Sequence, residues 1–170
     1  MKEIEKQIDM NARWENLGIS NDFLFGKVMQ NLELCKELLQ RILPGLEIDR
    51  IEYPELQKGI NPDADAKSVR LDVYVKDGKG TVYDIEMQAT ETGELPKRTR
   101  YYQGMLDLQM IDKGMSYKQL KPSYIIFICP FDRYGAGRHI YTFANFCKED
   151  KDIPLGDETT KIPECRRPPG

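Results

Sequence analysis

Asp72 and Glu86 are acidic residues set into VRLDVYVKDGKGTVYDIEMQ (69–88), a stretch that otherwise reads as an apolar β-hairpin. A three-residue loop, Gly78-Lys79-Gly80, with Gly80 in the left-handed conformation such loops require, pairs Val73 with Ile85 and Val75 with Tyr83. The same register sets Leu71 against Met87 and Asp72 against Glu86. A two-residue loop would instead oppose apolar and polar side chains on every rung, which a buried face does not allow. Two directly opposed carboxylates have Cβ atoms about 4.5–5.5 Å apart and repel each other. A hard divalent cation such as Mg²⁺ offsets that repulsion. It takes oxygen from one or two carboxylates and keeps its other positions for water and a phosphate. Gln88, two residues beyond Glu86, projects on the same face, where its amide could orient a water molecule or a phosphate oxygen. The same pattern also describes a hairpin with one solvated polar face, on which Arg70 could neutralise the acids.

The surrounding sequence predicts the elements that must hold this hairpin. Ser20 is a helix-start signal, with Asp22 in the first turn, where a carboxylate favours the positive end of the helix dipole. A second helix follows from Asn31, its apolar stripe running through Leu34, Cys35, Leu38, Leu39 and Ile42 to the Pro44-Gly45 stop. LEIDRIEYPELQ (46–57) alternates well enough for a strand, and KGINPDADAKS (58–68) reads as an exposed loop. After the hairpin, residues 92–114 are helical in period, with Pro96 in the first turn and Gly114 as the stop. PSYIIFICPF (122–131) is an apolar run without alternation, as a strand buried on both faces is. GRHIYTFANF (137–146) is the last strand candidate. The order α-α-β-β-β-α-β-β predicts an α/β fold, with one mixed sheet flanked by helices. Residues 1–19 read as a leader, helical at most, residues 20–162 as one domain, and 163–170, rich in Pro and Arg, as a disordered tail.

Composition narrows the function. With 25 basic and 28 acidic residues the net charge is -3, so any phosphate binding must be local. Lys97, Arg98 and Arg100, just ahead of Tyr101 and Tyr102 at a helix start, are the natural phosphate seat, and Arg98 is the best candidate for a substrate contact. The four cysteines are scattered and no secretory signal precedes them, which points to free thiols and a cytoplasmic setting. No apolar run reaches the roughly 20 residues needed to cross a bilayer. His139, the single histidine, leaves a zinc site or a Ser-His-Asp triad with little support.

At Asp72, Glu86 and Gln88 the sequence resembles the PD-(D/E)xK nucleases, whose core motif places one acid on a strand, then an acid and a lysine on the next. Gln88 stands where that superfamily has lysine. SNDFLFGKVMQN, VRLDVYVKDGKGTVYDIEMQ, RTRYYQGMLDL and KPSYIIFICPFD resemble, more closely, the Rpn family of recombination-promoting nucleases, also described as transposases, in which glutamine is usual here. The resemblance runs from about Ser20 to Ile162. It implies a restriction-endonuclease-like core and hydrolysis of DNA phosphodiester bonds with Mg²⁺, or Mn²⁺ as a substitute. Asp72, Glu86 and the backbone carbonyl of Met87 would be the ligands, and Asp22 would fill an acidic position that can join the metal site. It also implies a longer chain, so shortening at the C-terminal end is expected. A nuclease fold that binds DNA or a protein without cutting is the alternative, and assembly as a homodimer is left open.

Overall fold

The computed structural model describes residues 22–52, 55–61 and 67–165; the leader and the last five residues lie outside it. Helices α1 (Asp22–Met29) and α2 (Leu32–Ile42) come first. The N-cap Asn31 accepts from the Glu33 and Leu34 backbone N–H groups, satisfying donors that a helix start leaves open. Then follow β1 (Glu55–Ile60), β2 (Val69–Lys76), β3 (Val82–Met87), α3 (Leu95–Met110), a 3₁₀ turn at Tyr117–Gln119, β4 (Ser123–Cys129) and β5 (Thr159–Cys165). The sheet has the order β1-β2-β3-β4-β5. β1, β2 and β3 are antiparallel neighbours, while β3, β4 and β5 run parallel. This is the mixed, helix-flanked α/β sheet of a restriction-endonuclease-like fold.

Both faces of the sheet are covered. On one, Phe25, Met29, Cys35 and Leu39 of α1 and α2 pack against Val73, Val75, Tyr83, Ile85 and Ile126. On the other, Leu95, Met105 and Leu106 of α3 pack against Val82, Ile125 and Phe127. The hairpin register is the predicted one. Val73 pairs with Ile85, Tyr74 with Asp84, Val75 with Tyr83 and Lys76 with Val82, and Gly80 has φ 85°. Leu71 departs from expectation, because it packs in the α3-side core while Val73 and Val75 face α1 and α2. Beside this change of face the pairing of β1 with β2 skips from Leu56–Val73 to Lys58–Leu71, and Gln57, at the skipped rung, has φ 50°, uncommon for a residue other than glycine.

Three other expectations are corrected. The first strand is 55–60, so the Lys58, Gly59 and Ile60 of the expected loop are sheet; Ile48 and Ile51 are buried without forming a strand. The segment 137–146 is not a strand but touches β5 through bridges at Ile140 and Phe143. The fifth strand is 159–165 instead, and takes in Pro163, Glu164 and Cys165 from the expected tail. It lies last in the sheet order, where a proline's missing N–H is tolerated. Among the described residues no helix is long and apolar enough to cross a membrane.

Candidate functional site

β2 and β3 stop pairing at Val73–Ile85, one rung before Asp72 and Glu86. From there β3 continues only with β4, setting Glu86 beside Phe127 and Met87 beside Ile128. The two acidic side chains fill the opening and replace the missing ladder bonds. The Asp72 N–H donates to Glu86 Oε1 at 2.8 Å, and the Met87 N–H donates to Asp72 Oδ2 at 3.1 Å. Each carboxylate is thus anchored on the opposite strand, and the pair cannot rotate apart without losing a backbone bond. The sequence therefore places Asp72 and Glu86 opposite each other correctly.

This face is not solvated. Glu86 is 2 % exposed and Gln88 8 %, because α3 lies over them. The cation on the acids is Arg98 rather than Arg70, which is exposed. Arg98 donates through Nη2 to Glu86 Oε2 at 3.4 Å and to Tyr102 Oη at 2.9 Å, and through Nη1 to Gln88 Oε1. Its guanidinium also stands 5.2 Å from the Tyr102 ring centre and 5.1 Å from that of Phe127, a cation–π seat that fixes its plane. Gln88 Nε2 donates to Thr90 O at 2.6 Å. Both ends of the amide are thus engaged, and donor and acceptor chemistry fixes which way it faces. The superfamily's lysine position holds an amide here, and the positive charge arrives beside it from α3.

Asp84 went unnoticed in the sequence as a site residue. It lies two residues before Glu86, is fully buried, and finds no hydrogen-bond partner for either carboxyl oxygen among the described residues. Burial, then the charge and the close approach of the Glu86 carboxyl, then the charge of Asp72, push its pKa well above the carboxylate range. Glu86 is raised to about 7, by burial first and Asp72 second, with Arg98 opposing. Among the described residues Arg98 is the cation beside these acids, and in so low-dielectric a setting their ionised forms are costly. The only sequence signal for Asp84 is its parity with Glu86 on the same strand.

Among the described residues, no three Asp, Glu, His or Cys side chains converge as a complete ligand set. Asp72 and Glu86 do offer two hard oxygen donors, backed by a buried acid with no hydrogen-bond partner among the described residues. That suits Mg²⁺ or Mn²⁺, which take few protein carboxylates and leave room for water and phosphate. Asp22 heads α1, which packs on the opposite face of the sheet through Phe25 and Met29; its side chain lies outside the described part. His139 is structural, its Nδ1 lying 2.6 Å from Cys165 O and its Nε2 3.2 Å from Glu164 Oε1.

A family model of the PD-(D/E)XK nuclease family transposases matches residues 20–155, most of the chain. The chain belongs to that family. No curated protein and no solved structure matches. PD-(D/E)XK members are nucleases by type and generally use divalent metal ions.

Proposed function

We propose that this chain is a divalent-metal-dependent DNA endonuclease, acting in recombination or in the movement of a mobile element. The observation that carries the reading is the crossed anchoring of Asp72 and Glu86 at the point where β2 and β3 part, with Arg98 beside them. Asp72, Glu86 and the Met87 carbonyl would hold the metal, Mg²⁺ or Mn²⁺, and Asp22 is a further candidate ligand. The cation supplies positive charge at a phosphate and acidifies a water molecule.

The protein's own groups do the rest. Gln88 holds Arg98 by its amide oxygen, so the guanidinium faces a bound phosphate from a fixed direction, and fixed donors stabilise charge as it develops. Tyr102 and Phe127 cover part of that guanidinium and leave the rest open to the phosphate. The remaining reading is a nuclease fold that binds DNA without cutting, favoured by the ion pair that ties Arg98 to Glu86.

Supercoiled plasmid separates the two. With Mg²⁺ or Mn²⁺ the wild type is expected to nick it, and Asp72→Ala to lower nicking by about 10³-fold or more. No cleavage with either metal would leave the binding module as the function.

A further inference from the structure

Beside the acid pair lies a second feature, a groove of about 350 Å³ lined by Lys67, Arg70, Glu94, Lys97, Arg98 and Arg100. Its walls come from two places distant in sequence, the approach to β2 and the first half of α3. Tyr101 Oη donates to Lys67 O at 2.6 Å and ties them together, which sets the groove's width. Arg98 belongs to both features, lining the groove while it contacts Glu86 and Gln88. Arg70 lies two residues before Asp72. Arg98 is therefore the link between the groove and the acid pair.

Its charge is anomalous for this chain. The protein as a whole is acidic, at net -3, yet Lys67, Arg70, Lys97 and Arg100 are exposed and converge on one groove with a single carboxylate, Glu94. Among the described residues no salt bridge engages any of the four; the acids that pair elsewhere serve Arg41, Arg50, Lys58, Arg98, Arg133 and His139. Like charges gathered without counterions repel, and a polyanion relieves that repulsion while releasing the cations condensed on itself.

We infer that this groove seats the phosphodiester backbone of the substrate strand, with Lys67, Arg70, Lys97 and Arg100 on successive phosphates and Arg98 at the end next to the acid pair. The inference rests on the nuclease reading for the strand's destination, but the seat binds without metal or cleavage. Contacts to phosphates alone carry no sequence information, so this seat is independent of sequence.

The test is fluorescence anisotropy of a labelled DNA duplex with the full chain in EDTA, over a range of salt. Two charge-reduced variants are compared. One is Lys67→Ala/Arg70→Ala/Lys97→Ala/Arg100→Ala. The other, Lys76→Ala/Lys118→Ala/Lys121→Ala, removes a cationic cluster from the far end of α3. Four phosphate contacts contribute about 3 to 4 to the slope of log K against log salt. Raising salt from about 50 to about 200 mM should then cost the wild type about 100-fold more affinity than the groove variant, while the far-end variant keeps the wild-type slope. Equal losses in both variants, or no loss in the groove variant, would overturn the inference. So would displacement of the duplex by polyglutamate as readily as by unlabelled DNA, since the groove would then fit an acidic protein partner. Metal-dependent nicking that persists alongside a failed groove test leaves the nuclease reading standing. A full salt slope in a chain that never nicks leaves the groove standing.

Discussion

Asp77 and Asp84 belong to one hairpin and are both buried, at 2 % and 0 % exposure, yet their surroundings are opposite. At the closed end, Asp77 accepts from the Lys79 N–H, the Thr81 N–H and the Tyr83 hydroxyl, each at 2.9 Å. Every one of those donors is local, and together they fold the Gly78-Lys79-Gly80 loop around the carboxylate. At the open end, Asp84 accepts nothing among the described residues and stands among Glu86, Asp72 and Arg98. A buried acid with its hydrogen bonds made is a structural fixture. A buried acid without them, its pKa pushed well above the carboxylate range, marks a place where the fold tolerates the cost of a group it resists ionising.

That contrast can be broken by mutation. The largest effect is expected at the closed end, where Asp77→Ala leaves two backbone donors and a buried hydroxyl without an acceptor. Chemical denaturation should show a loss of about 3–4 kcal/mol. A loss under about 1 kcal/mol would mean that Asp77 does not hold the turn.

Next comes pH at the open end. Glu86 is raised to about 7 from 4.5, so the folded state binds this proton more tightly than the unfolded state does. Metal-free stability is accordingly greatest at low pH for this group and falls as pH rises from about 4.5 through about 7, by on the order of 2 kcal/mol. Asp72, Asp84, Arg98 and Tyr102 all face the titrating group, and Glu86→Gln should reduce the fall, leaving the part that Asp84 contributes. Denaturation midpoints across that range check it; a pH trend unchanged in Glu86→Gln places its origin elsewhere.

The smallest effect has the opposite sign. Asp84→Leu replaces an unpartnered buried acid with an apolar side chain of similar size and should stabilise the metal-free protein by about 1–2 kcal/mol. Destabilisation of that size would show that Asp84 has a partner which the comparison with Asp77 denies it.

What the sequence revealed of this hairpin follows the same division. Its register was legible because strand alternation and a Gly-containing loop are local signals, and Val73–Ile85 and Gly80 meet both. The covering of its polar face was not, because nothing in VYDIEMQ shows that Arg98 and Tyr102, on a helix beginning seven residues after Gln88, fold back over it. Asp84 consequently read as an ordinary polar-face residue. The final strand was missed for a related reason. GRHIYTFANF carries the apolar alternation, whereas TTKIPEC carries Lys161 and Pro163, and only its parallel pairing with β4 makes it a strand. Neither the skipped rung at Gln57 nor the packing of Leu71 in the other core has a local sequence signature.

The most direct test of the central claim, that Asp72 and Glu86 form a divalent-cation site, is calorimetric titration of the metal-free protein with Mn²⁺ near pH 8, where Glu86 is largely ionised. The account predicts saturable, stoichiometric binding that disappears in Glu86→Gln and in Asp72→Asn but survives in a surface variant such as Glu37→Gln. Absence of saturable binding in the wild type, or binding unchanged in Glu86→Gln, would contradict it.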